Sequence, residues 1–135
     1  MKVILQYWTS TLWGLVIFVL STMSLKDTGA EKLFDFPHMD KLVHFGFYAL
    51  LAVLMLFDHT KNKAPKFNHF ITAFTICLVY GGMIEILQGS VFTDRSTELL
   101  DFIANTTGAL IGCTFYMLLV KLNIINKYFK SRPKA

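Results

Sequence analysis

Four long apolar runs separated by short polar connections constrain this chain more than any other feature. They cover about Tyr7–Leu25, Leu42–Phe57, His69–Gln88 and Leu99–Leu122. A helix needs about 20 mainly apolar residues to cross the hydrocarbon core of a bilayer. Backbone polar groups find no water there, so each run must pair its own N–H and C=O groups as an α-helix. The alternating polarity of a membrane β-strand is absent. The second run is short, and Met39 and Asp58 are expected to extend it. The expectation is an all-α polytopic membrane protein, a four-transmembrane-helix bundle. It forms a single domain over residues 1–135, with helices at about 7–25, 41–58, 69–88 and 99–122.

Composition matters for what it excludes. Charged residues make up 16% of the chain and hydrophobic residues 54%, against roughly 25% charged in soluble domains. The net charge of +4 arises from basic residues beside the apolar runs, so anionic lipid headgroups fit it better than nucleic acid. No zinc spacing, phosphate loop or other cofactor motif is present. Cys77 and Cys113 lie within apolar runs and read as small buried thiols. The first run has Thr22 and Ser24 where a signal peptide would be cut, but its length suits a retained span.

Lys and Arg counts orient such a bundle. The N-terminus, second connection and C-terminal tail hold nine (Lys2, Lys61, Lys63, Lys66, Lys121, Lys127, Lys130, Arg132, Lys134), and the other two connections hold four (Lys26, Lys32, Lys41, Arg95). Both termini are therefore expected in the cytoplasm, and the first and third connections outside.

The candidate site is read from polar residues inside the spans, which are costly there unless paired or facing a cavity. Lys41, His44 and Tyr48 share one face of the second helix, and Gly81, Glu85 and Gln88 share one face of the third. Asp101, Asn105, Gly108 and Gly112 fall within an arc of roughly 60° on the fourth. All lie toward the outward ends, and Arg95 is in the connection between the last two helices. Lys41, His44, Glu85, Gln88, Arg95, Asp101 and Asn105 are thus expected to converge on one outward polar pocket, with Tyr48 beside it. Gly108 and Gly112 are the small residues of a close helix–helix contact. Asp58, His59 and His69 read as ordinary residues of the second connection.

These segments resemble the VanZ-like family of small bacterial membrane proteins. The matching residues are Asp40 to Tyr48 (DKLVHFGFY), Glu85 to Gln88 (EILQ), and Arg95 with Asp101, Asn105, Gly108 and Gly112. The pattern extends from Asp40 to Gly112. The resemblance implies a multi-pass protein of the bacterial cytoplasmic (inner) membrane and cell envelope. The family is named for a member linked to glycopeptide (teicoplanin) susceptibility. The resemblance implies Lys41, His44, Glu85, Gln88, Arg95, Asp101 and Asn105 as the functional positions.

Several functions fit these residues. The favoured one is a pocket that binds an anionic envelope lipid or a lipid-linked wall precursor, with Lys41 and Arg95 as its cations. An enzyme acting on such a lipid would use His44 as acid or base beside Glu85 and Asp101, although no nucleophile is evident. The same three side chains suit a divalent ion, though no metal is expected. A structural network pairing Glu85 with Arg95 and Asp101 with Lys41 needs no ligand. A proton-linked transporter ranks last, because the cytoplasmic half reads as almost wholly apolar. Membrane lipids are the expected partners, and a second copy of the chain is an open one.

Overall fold

A computed structural model describes residues 6–22, 39–60, 65–91 and 99–122. These residues form four α-helices: α1 (Trp8–Thr22), α2 (Met39–Thr60), α3 (Phe67–Val91) and α4 (Leu99–Lys121), with no strand among them. α2, α3 and α4 are long and apolar enough to cross a membrane. Their 22, 25 and 23 residues correspond to lengths of about 33–38 Å. α1 is shorter, at 15 residues. The all-helical membrane bundle expected from the apolar runs is therefore present.

Large apolar side chains cover the outside of every helix, among them Leu15, Leu42, Ile86 and Phe115. In water such a surface would be a liability; in hydrocarbon it faces a medium as apolar as itself. Burial toward lipid therefore supplies little drive for one helix to pack on another, and close van der Waals fit and polar ties decide the packing. The interior interleaves small residues with large ones: Ala52, Cys77, Ala109 and Cys113 are fully buried beside Ile17, Tyr48, Leu56 and Tyr116.

α2 and α4 make the most extensive contact in the bundle. The reason is local: a methyl group on Gly108 would overlap the Phe45 carbonyl, and one on Gly112 would overlap the Ala49 carbonyl. Two glycines one turn apart thus bring the two backbones together along a shared seam. Farther along it, Thr60 Oγ1 and the Tyr116 hydroxyl hydrogen-bond at 2.5 Å.

α1 is held by polar ties at both ends. Near its start, Asp58 of α2 accepts from Thr9 Oγ1 (2.6 Å), Ser10 N (2.9 Å) and Ser10 Oγ (2.9 Å). A carboxylate at a helix N-terminus satisfies orphan N–H groups and complements the helix dipole. Near its end, Gln88 Nε2 of α3 donates to Ser21 O at 2.8 Å. Between them, Trp13 Nε1 donates to Phe47 O at 3.0 Å and the Tyr80 hydroxyl to Gly14 O at 2.7 Å.

Two expectations are corrected here. Asp58 and His59 lie in the last turn of α2 and His69 in the first turn of α3. Asp58 is fully buried, so these are not ordinary connection residues. The Thr60 end of the bundle is consequently not almost wholly apolar. Asp58 is 14 residues beyond His44, which places it about 40° away around the helix. The inward face of α2 is therefore polar at both ends.

Candidate functional site

The three long helices bring their polar faces together at the end where α2 and α4 begin and α3 finishes. Lys41 and His44 come from the first two turns of α2, Glu85 from α3, and Asp101 and Asn105 from the first turns of α4. Gly81 makes this approach possible: a methyl group there would lie 3.2 Å from the Tyr48 ring and 3.4 Å from Asn105 Cβ.

Asn105 is the hub. Its Nδ2 donates to Glu85 Oε1 at 3.1 Å, and its Oδ1 lies 3.0 Å from His44 Nδ1. Because the amide donates toward Glu85, its oxygen accepts from a proton on His44 Nδ1. That bond turns His44 Nε2 toward Asp101, whose Oδ2 is 4.0 Å away. The distance exceeds a direct hydrogen bond. That separation is one that a single hydroxyl or amine can bridge from the side, at ordinary hydrogen-bond distance from both atoms. Asn105 and Glu85 are buried at 1% and 3% exposure, so this relay sits in low dielectric, where aligned hydrogen bonds are strong and unpaired groups costly.

The rim is more open. Lys41 Nζ stands 2.7 Å from Asp40 Oδ2 and 3.2 Å from Asp101 Oδ1. The Lys41 and Asp101 side chains are 19% and 13% exposed, and Asp40 is 52% exposed. The rim therefore presents one ammonium between two carboxylates, above a floor of imidazole, amide and a third carboxylate.

His44, Glu85 and Asp101 each offer one ligand atom, and these atoms lie within 4.8 Å of one another. Imidazole with two carboxylates suits a borderline or hard divalent ion. Lys41 competes for Asp101 in the arrangement seen, so the cluster is compatible with an ion but not arranged around one.

Of the expected residues, Lys41, His44, Glu85, Asp101 and Asn105 meet in one place. Tyr48 lies one turn deeper, at 1% exposure, and its hydroxyl has no hydrogen-bond partner among the described residues. Gln88 is at the same end, but its amide nitrogen is used to hold α1. Arg95 lies outside the described residues. The Lys41–Asp101 pair named in the structural alternative is present. Asp40, the second carboxylate on Lys41, was not among the expected site residues, although its place beside Lys41 at a helix start was a signal for it.

At the opposite end, the sequence reading missed a second polar group of residues. The Tyr7 hydroxyl pairs with His59 Nδ1. The His59 ring lies 4.4 Å from that of His69, centroid to centroid. His69 Nδ1 accepts from Lys66 N at 3.1 Å. Of these residues His59 is on α2, and the helical period places it about 60° around from His44.

A family model described as VanZ/LLP1 matches residues 2–120. An uncharacterised protein of Schizosaccharomyces pombe is 29% identical over 120 residues, covering 87% of this chain. The chain spans 65% of that relative's length. No solved structure matches.

Proposed function

Since the chain belongs to the VanZ/LLP1 family, we propose that the Lys41 end of its bundle binds the headgroup of a membrane lipid that carries a phosphate together with hydroxyl, amide or amine groups. The observation that carries this reading is the convergence of Lys41, His44, Glu85, Asp101 and Asn105 from three helices on one partly open site. Ionisable groups within spans are otherwise expensive.

The donor set defines the headgroup. The described side chains present one ammonium and three carboxylates, counting Asp40, so a bare anion is a poor match. A phosphate suits Lys41, and hydroxyl or amine donors suit Asp101 and the acceptor side of His44. Lipid-linked wall precursors have this mixture, as do glycosylated and amine-bearing phospholipids. A relative in a fission yeast favours a chemistry that bacterial and eukaryotic membranes share. By the Lys and Arg bias the site faces outward in a bacterial cytoplasmic membrane, where a lipid ligand would connect it to the cell envelope and to teicoplanin susceptibility.

A second reading rests on the gap beside His44 Nε2. Held at Nδ1 by Asn105, the ring could pass a proton to or from a lipid group lying between it and Asp101.

The test is native mass spectrometry of the detergent-held protein with a lipid-linked wall precursor, beside Lys41→Gln. Loss of a charge-assisted contact of about 1.5–3 kcal/mol predicts at least a tenfold fall in retention. Equal retention by both proteins removes the binding reading. A change in lipid mass that needs His44 establishes the second.

A further inference from the structure

We infer that the space between α1, α2 and α3 is a second lipid site, which takes one acyl chain from the bilayer and holds an acidic headgroup at Tyr7, His59 and His69. This cavity of about 340 Å³ lies toward the end of the bundle opposite Lys41. Its existence follows from how α1 is attached. The helix is tied to α2 at Asp58 and to α3 through the Tyr80 hydroxyl on Gly14 O. Between these ties it presents Gly14, where an added methyl group would meet nothing within 4 Å. α3 places the small Ala73 in the same lining, so at these two positions neither helix has a side chain long enough to reach across the gap.

The walls decide what fills it. Leu51, Met55, Ala73 and Ile76 line the body of the cavity. These side chains give water no hydrogen-bond partners, and ordered water needs about two to four; of the lining hydroxyls, those of Ser10, Thr72 and Tyr80 already donate to Asp58, Asn68 O and Gly14 O. Protein interiors are close-packed, and the surrounding medium here is lipid. Ile76 is both a lining residue and 47% exposed, so the cavity borders the outer surface of α3, where a chain can enter sideways.

The polar end decides the headgroup. His69 accepts through Nδ1 from Lys66 N, so a neutral His69 carries its proton on Nε2, a donor with no hydrogen-bond partner among the described residues. α3 begins two residues earlier, at Phe67, and its first N–H groups form the positive end of the helix dipole. Lys66 adds a full charge there. The nearby carboxylate, Asp58, accepts hydrogen bonds from Thr9 and Ser10 of α1 through both its oxygens. The balance at this end favours phosphate or carboxylate over a zwitterion.

The site is independent of the one around His44, and its test keeps the two apart. Purified protein is delipidated in detergent, then offered phosphatidylglycerol or phosphatidylcholine with the same acyl chains, and bound lipid is read by native mass spectrometry. Wild type is expected to retain phosphatidylglycerol about tenfold better. Gly14→Phe fills the cavity and is expected to lose both lipids. Ile76→Trp, at a more exposed lining position, is expected to weaken both. All of these comparisons are repeated on a Lys41→Gln background, which removes phosphate-lipid retention at the other end, and there His69→Ala is expected to keep chain binding but lose most of the preference. Inorganic phosphate alone should not displace the lipid. Wild-type retention in folded Gly14→Phe and Ile76→Trp overturns the inference, as does a preference that His69→Ala leaves intact. Full displacement by free phosphate also overturns it, because the chain would then contribute nothing.

Discussion

Alanine at Gly112 and at Gly46 should change the stability of this bundle in opposite directions. Both glycines lie inside long helices, so intrinsic propensity favours alanine at each by about 0.5–1 kcal/mol. At Gly46 a methyl group meets nothing within 4 Å, and only that gain applies. At Gly112 it would lie 2.9 Å from both the carbonyl carbon and the Cα of Ala49, whereas ordinary contact begins at 3.4 Å. Those are backbone atoms, so no rotamer relieves the overlap. α2 must withdraw by at least about half an ångström, and a gap of about 0.5–1 Å already forfeits a quarter to a half of each dispersion contact along the seam. Overpacking of this kind costs about 1–3 kcal/mol, which outweighs the propensity gain. The assay is unfolding in mixed micelles of mild detergent and dodecyl sulfate, read by modification of Cys77 and Cys113, both fully buried when folded. Gly112→Ala should unfold at lower dodecyl sulfate than wild type and Gly46→Ala at equal or higher. Gly108→Ala should behave like Gly112→Ala, since it meets Phe45 in the same way. Equal shifts for Gly46→Ala and Gly112→Ala would refute the claim that α2 and α4 touch backbone to backbone.

Two further outcomes follow from the polar ties. Asp58→Ala removes the acceptor of three hydrogen bonds from α1 and should cost about 2–4 kcal/mol; limited proteolysis should then release the N-terminal segment while α2 to α4 stay protected. Tyr116→Phe removes the 2.5 Å bond to Thr60 at a cost of about 1 kcal/mol, and Thr60→Val added to it should cost little more, as a double-mutant cycle in the micelle assay will read.

The bundle and much of its candidate site were legible from local rules. Hydrocarbon forces apolar runs into helices, and the 3.6-residue period assigns side chains to faces. Together these put Lys41 and His44 on one face, Asp101 and Asn105 on another, and made Gly108 and Gly112 a place of close approach. Such rules name the faces but not the partners. Only the packed structure shows Asn105 bridging Glu85 and His44, because that depends on how α3 and α4 are rotated against α2. Only it turns the Gln88 amide toward Ser21 on α1. Asp58 marks the limit most clearly. In sequence it ends an apolar run and precedes a basic connection, the ordinary setting of an exposed residue. In the fold it is fully buried, because α2 continues to Thr60 and the N-terminus of α1, distant in sequence, comes to rest on its carboxylate.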